Sequence, residues 1–271
     1  MYLKPEDYQE PACLLCMDHT NDKQIPVMRI IEKLDTFLNR NDYSSAELLL
    51  TKWLDEAKNC RDKKGQLSLY NERMGLFRKL SKKDDAISDA NTALHLVEEL
   101  DVSQTKTAGT TYLNAATVFK AFGQAKEALP LYEKALAVYT ACLSPTDSRF
   151  GGLYNNMALA LVDLHQFDRA DDYYRKALVV MSQVENGELD QAITYLNMAD
   201  AAVAQYGAQQ AEQTVHENIE TATRLLDTPG LERNGYYAFV AEKCAPTFRY
   251  YGYFAYAREL EERSRRIYEG T

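Results

Sequence analysis

The chain has 271 residues, 46% of them hydrophobic and 26% charged, a balance that folds and stays dissolved and excludes extensive disorder. Its formal net charge is −9, and no block of Lys or Arg is long enough to neutralise a run of phosphates, so nucleic acid is excluded as a partner. No stretch approaches the length of a bilayer span and Met1-Tyr2-Leu3-Lys4-Pro5 carries no apolar signal core, so the expectation is a cytoplasmic protein without membrane contact.

Residues 1–25 read as an N-terminal extension that packs on the first of a series of repeats. Within it, Cys13-x-x-Cys16-x-x-His19 has the spacing of half a zinc site, because thiolates three positions apart can chelate one borderline-soft cation. The other half is missing, so these three residues are weak metal candidates and no cofactor is expected. The remaining cysteines, Cys60, Cys142 and Cys244, are scattered and read as reduced thiols in a chain too large to need disulfide staples.

From residue 26 to 271 one helical pattern recurs, and the expectation is a single domain. Its anchor is a small residue found at Ala46, Ala86, Ala128, Ala170, Ala211 and Ala257, with spacings of 40, 42, 42, 41 and 46. In the first unit Asn41 stands at the turn, while Lys33 and Leu34 depart from the pattern. In the third, Ala128, Tyr132 and Ala135 lie at i, i+4 and i+7 and share one helical face, a ring between two methyls. Small residues let a neighbouring helix approach, and the ring fills the space between successive units. Gly123 and Gly252 mark turns that need positive φ.

Between units three and four, Ser144-Pro145-Thr146-Asp147 reads as a helix start with Ser144 as N-cap. The fourth unit repeats the third with Ala170, Tyr174 and Ala177. Unit five places Val215 and Asn218 where a ring and a methyl are expected. In unit six Pro246 falls inside the first helix and should kink or break it.

With Tyr112, Ala115, Ala116, Phe119, Gly123, Ala128, Tyr132 and Ala135, and again with Tyr154, Met157, Ala158, Leu161, Phe167, Ala170, Tyr174 and Ala177, the chain resembles the tetratricopeptide repeat family. The long period and the run Leu153-Tyr154-Asn155-Asn156-Met157-Ala158 look like the variety in kinesin light chains, and the closing stretch from Lys243 to Phe254 is similar to bacterial repeat proteins. The resemblance implies an all-α fold, a right-handed α-solenoid of about six antiparallel helix pairs. It further implies that the first helix of each pair lines a concave groove that holds a peptide or protein partner.

On that face successive units carry Glu72, Asn114, Asn156, Asn197 and Lys243, with Asn71 and Asn155 beside them. A carboxamide both donates and accepts, so a row of them suits the main chain of an extended guest. Alternatively each Asn bonds to a neighbouring helix and orders the stack. Further along lie Arg78, Lys120 and Arg249, making the groove less acidic than the whole and pointing to a mild preference for acidic or carboxylate-bearing peptides.

His95, His165 and His216 fall in different units without an acid or nucleophile at a recurring spacing, so no enzyme is expected. The function expected is a scaffold or adaptor. The competing reading is a self-associating protein, a homodimer through the end where Tyr250, Tyr251, Tyr253 and Tyr256 crowd together.

Overall fold

The computed structural model describes residues 24–270, among which there are twelve helices and no strand. They form two compact units that divide between Ser103 and Gln104. Cys13, Cys16 and His19 lie outside the described residues, as does most of the expected N-terminal extension.

The first unit holds α1 (Val27–Leu38), α2 (Tyr43–Asn59), α3 (Lys63–Lys79) and α4 (Lys83–Glu99), two antiparallel hairpins joined by packing of α3 on α1 and α2. Its turns each use one residue in the left-handed region: Asn41 (φ 54°), Arg61 (φ 57°) and Ser81 (φ 57°). A short helix-to-helix turn demands that conformation, and here residues with side chains supply it. Asp62 caps α3 with one carboxylate oxygen on Gly65 N (2.9 Å), and its second oxygen takes Ile25 N (2.9 Å), tying the chain entering α1 to α3.

The second hairpin of this unit is locked by a buried ion pair that the repeat pattern does not announce. Arg73 Nε and Nη2 on α3 donate to the two carboxylate oxygens of Asp89 on α4 at 2.7 and 2.8 Å. The guanidinium lies 5.5 Å from the Tyr70 ring and 5.2 Å from the Phe77 ring. The Asp89 side chain is only 5% exposed, so the fork-to-fork geometry is what offsets its desolvation.

The second unit holds four hairpins: α5 (Lys106–Ala121) with α6 (Ala125–Cys142), α7 (Arg149–Asp163) with α8 (Phe167–Met181), α9 (Glu188–Tyr206) with α10 (Ala208–Leu226), and α11 (Gly235–Tyr250) with α12 (Phe254–Glu269). Ala128, Tyr132 and Ala135 are all buried, as are Ala170, Tyr174 and Ala177. A ring-sized apolar group so placed contributes roughly 1.5–3 kcal/mol each time it is removed from water. Val215 and Asn218 occupy the same register on α10 and are buried too, so the irregular unit still nests. The hairpin turns again carry positive φ, at Gly123 (80°), His165 (57°), Gly207 (79°) and Gly252 (89°).

Two expectations are corrected here. Ser144 does not cap a helix: α7 begins at Arg149, and Ser144 to Asp147 form a turn in which Ser144 Oγ and Thr146 Oγ1 share a hydrogen bond (3.0 Å). Asp147 instead accepts from Arg149 N at 3.1 Å, so the aspartate rather than the serine meets the helix entrance. Nor does Pro246 break α11, which runs on to Tyr250. Pro246 is exposed, so the carbonyl it leaves without an intrahelical donor, that of Glu242, faces solvent. Pro130 sits in α6 on the same terms.

Within the second unit the first helices touch along the stack, α5 on α7, α7 on α9 and α9 on α11, while no comparable contact joins the second helices. The first helices therefore line the inner side of the curve.

Candidate peptide-binding groove

The asparagines predicted to form one row separate into two roles. Asn155 on α7 is buried, and its Oδ1 accepts from Asn197 Nδ2 on α9 at 3.0 Å, a bond spanning one repeat. Asn71 of the first unit is also interior, its Nδ2 donating to Leu67 O at 2.9 Å within α3. Asn156, Asn197 and Asn114 are half-buried. Asn156 makes no side-chain hydrogen bond among the described residues. The reason is positional: Asn197 finds Asn155 on the preceding helix, but the matching place on α5, one period before Asn155, is Leu113, which has no acceptor side chain.

The cations divide similarly. Lys120 Nζ on α5 lies 3.5 Å from Asp163 on α7, and Arg249 Nη2 is 2.5 Å from Glu261 on α12. Lys243 is exposed on α11; in the first unit Arg78 is exposed near the end of α3. Glu72 of the first unit has its carboxyl raised above the ordinary carboxylate value by burial and then by the charge of Asp35.

Sequence reasoning missed the bridges that knit the inner face together. Tyr251 OH, in the turn after α11, donates to Asp200 Oδ1 on α9 at 2.7 Å. The Asp200 carboxyl is raised by desolvation, against the lowering effect of that hydrogen bond, although the residue as a whole is exposed. Beneath lies Tyr174, whose hydroxyl is buried without a hydrogen-bond partner and whose titration is pushed up by burial and then by Asp200 and Asp163. Tyr132, one repeat earlier, has Thr117 Oγ1 at 3.3 Å, and the residue equivalent to Thr117 beside Tyr174 is Leu159. The missed partners were recoverable from the period, since Lys120 and Asp163, like Asn155 and Asn197, stand about one repeat apart.

An open notch of about 550 Å³ lies between the start of α10 and the last turn, lined by Gln209, Gln213, His216, Tyr251 and Tyr253 among others. His216 Nδ1 and Tyr253 OH share a hydrogen bond at 2.8 Å across it, and His216 Nε2 lies 3.3 Å from Glu220. No group of three or more His, Cys, Asp or Glu among the described residues is placed to hold a metal ion, and no helix among them is long and apolar enough to cross a membrane.

The family model for the tetratricopeptide repeat matches residues 109–146 and 152–186. No curated protein matches in sequence. Among solved structures, the chain is similar to BtubC (BKLC) from P. vanneervenii at 22% identity and a TM-score of 0.61, over 73% of this chain and 80% of that one. Nearly identical TPR-like repeats of kinesin light chain type from Podosopora anserina align at 16% identity and a TM-score of 0.51, over 74% and 94% of the two chains. A Rap protein complexed with competence and sporulation factor aligns at 12% identity and a TM-score of 0.57, over 92% of this chain and 66% of that one. What the chain shares with these proteins is the fold, a stack of antiparallel helix pairs. Residues 109–146 and 152–186 thus match two tetratricopeptide repeats of long period, set within a succession of helical hairpins.

Proposed function

We propose that this chain is a non-enzymatic scaffold that holds an extended peptide, or an extended segment of a protein partner, along the inner face formed by α5, α7 and α9. The observation that carries the reading is Asn156: a half-buried carboxamide in mid-helix with no bond to the rest of the described protein. Asn disfavours helix interiors, and a stack-ordering role would require the bond that Asn197 makes and Asn156 lacks. Its amide can donate to a guest carbonyl and accept from a guest N–H, which makes binding tolerant of guest sequence. The Rap neighbour, solved with a bound factor, supports the fold's suitability for a guest.

A carboxylate-bearing guest fits the same face. Lys120 is engaged by Asp163 and Arg249 by Glu261, but such partly exposed pairs are worth only about 0–1 kcal/mol and exchange readily for a guest carboxylate. The test is capture of displayed random peptides by the wild type and by the triple variant Asn114→Ala, Asn156→Ala, Asn197→Ala. Loss of capture in the variant is expected, and equal capture overturns the groove. A second reading, self-association, is favoured by the aromatic side chains that α11 leaves exposed.

A further inference from the structure

We infer that a second copy of this chain docks on the exposed aromatic stripe of α11, the two α11 helices lying antiparallel about a twofold axis. The inference rests on the self-association reading and gives it a surface, one that includes Lys243 and is flanked by Arg249, two residues the groove reading also uses. Along α11 the residues Tyr236, Phe239, Lys243, Pro246 and Tyr250 follow spacings of three and four, so they form one stripe down a single face. Tyr236, Phe239 and Tyr250 are 46%, 38% and 76% exposed, and Pro246 is exposed between them. Isolated exposed apolar residues are ordinary on a protein surface; four on one helical stripe are a patch.

Two of these rings are already held in place. Tyr236 OH donates to Asp190 on α9 at 2.6 Å and its ring stacks on Phe239 at 6.2 Å, while Tyr250 packs edge-on to Tyr251 at 5.0 Å. Anchored rings lose little side-chain freedom on docking, which is what makes them effective interface residues.

The occupant follows from self-complementarity. When α11 is laid antiparallel on a copy of itself about a centre between Cys244 and Ala245, Phe239 of one copy meets Tyr250 of the other, and the reverse contact forms by symmetry. The same placement sets Glu242 of each copy near Arg249 of the other. Glu242 has no ion-pair partner among the described residues, and Arg249 uses only Nη2 on Glu261, leaving further N–H groups of its fork. A parallel arrangement would instead place these residues of the two copies on opposite flanks of the seam and form no such pair. Helix α11 is about 24 Å long, so its stripe alone covers less than the roughly 800 Å² per partner of a stable interface, and the dimer is reversible and concentration-dependent.

Sedimentation equilibrium of the full chain over a dilution series tests this. The wild type should pass from monomer to dimer as concentration rises. Phe239→Ala with Tyr250→Ala should raise the dissociation constant tenfold or more. Glu242→Arg and Arg249→Glu should each be monomeric alone, and an equimolar mixture should recover a heterodimer, because each reversed charge then meets its opposite. If Arg249→Glu unfolds through loss of its bridge to Glu261, Arg249→Glu with Glu261→Arg restores the internal pair and replaces it in the mixture. A wild type that stays monomeric, dimers indifferent to these substitutions, or mixed variants that fail to associate would overturn the inference. Peptide capture by the Phe239→Ala, Tyr250→Ala variant, which keeps Asn114, Asn156, Asn197, Lys120 and Arg249, reports on the groove separately.

Discussion

Asn197 on α9 donates to Asn155 on α7 across one full repeat, and the neighbouring Asn156 is left without such a bond. These two adjacent asparagines should therefore respond differently to truncation. Asn155→Ala should lower stability by about 1 kcal/mol through loss of the inter-helix hydrogen bond. Asn156→Ala should leave stability unchanged or raise it by a few tenths of a kcal/mol, because Ala favours the helix. Urea unfolding midpoints of the two variants check this, and an equal loss for both would place Asn156 in the stack rather than in the groove.

Tyr132 and Tyr174 occupy equivalent places, but the Tyr132 hydroxyl donates to Thr117 while that of Tyr174 is buried without a partner. Removing the hydroxyl of Tyr132 breaks its contact with Thr117, and Tyr132→Phe should cost about 0.5–1 kcal/mol. Tyr174→Phe removes a buried hydroxyl without a partner and should be neutral or stabilising by up to about 1 kcal/mol. Opposite signs in thermal unfolding are expected.

The pairing of Arg73 with Asp89 predicts a strong asymmetry between breaking it and replacing it. Asp89→Ala strands a mostly buried guanidinium and should destabilise the first unit by about 3 kcal/mol. Arg73→Met with Asp89→Leu should cost markedly less, because no buried charge remains without a partner. Chemical denaturation of the single and double variants measures the difference.

The repeat itself was legible in the sequence because its physical requirement is local. A methyl at Ala128, a ring at Tyr132 and a methyl at Ala135 must recur wherever one hairpin nests on the next, and Gly123 and Gly252 must sit where the turn takes positive φ. The turns at Ser81 and His165 were harder to see because residues with side chains adopt the same conformation. Pro246 misled because its effect depends on whether the carbonyl four residues earlier faces protein or water. Which asparagine is tied into the stack was hidden for a similar reason: adjacent residues on a helix differ by 100° in direction, and only packing shows that Asn155 is buried while Asn156 is half-exposed.

Asp200 supplies a pH dependence whose sign can be worked out. Burial raises its carboxyl in the folded state above the ordinary value of 3.8, so the folded protein binds this proton more readily than the unfolded chain. Ionised Asp200 thus opposes folding at neutral pH, and that opposition is relieved as pH falls through the raised value toward 3.8. Asp200→Asn keeps an acceptor for Tyr251 and removes the charge. The variant's stability advantage should be present at neutral pH and shrink as the solution is acidified through that window, a trend readable from unfolding midpoints at several pH values. An advantage that grows on acidification would contradict the sign.

The groove is tested most directly by the side-chain amide resonance of Asn156 during titration with a peptide enriched by display. The resonance should shift in proportion to occupancy, with Asn197 following and the residues of α8 and α10 on the opposite side of the hairpins unmoved. Saturating peptide that perturbs α8 or α10 while Asn156 stays still would contradict binding along the inner face.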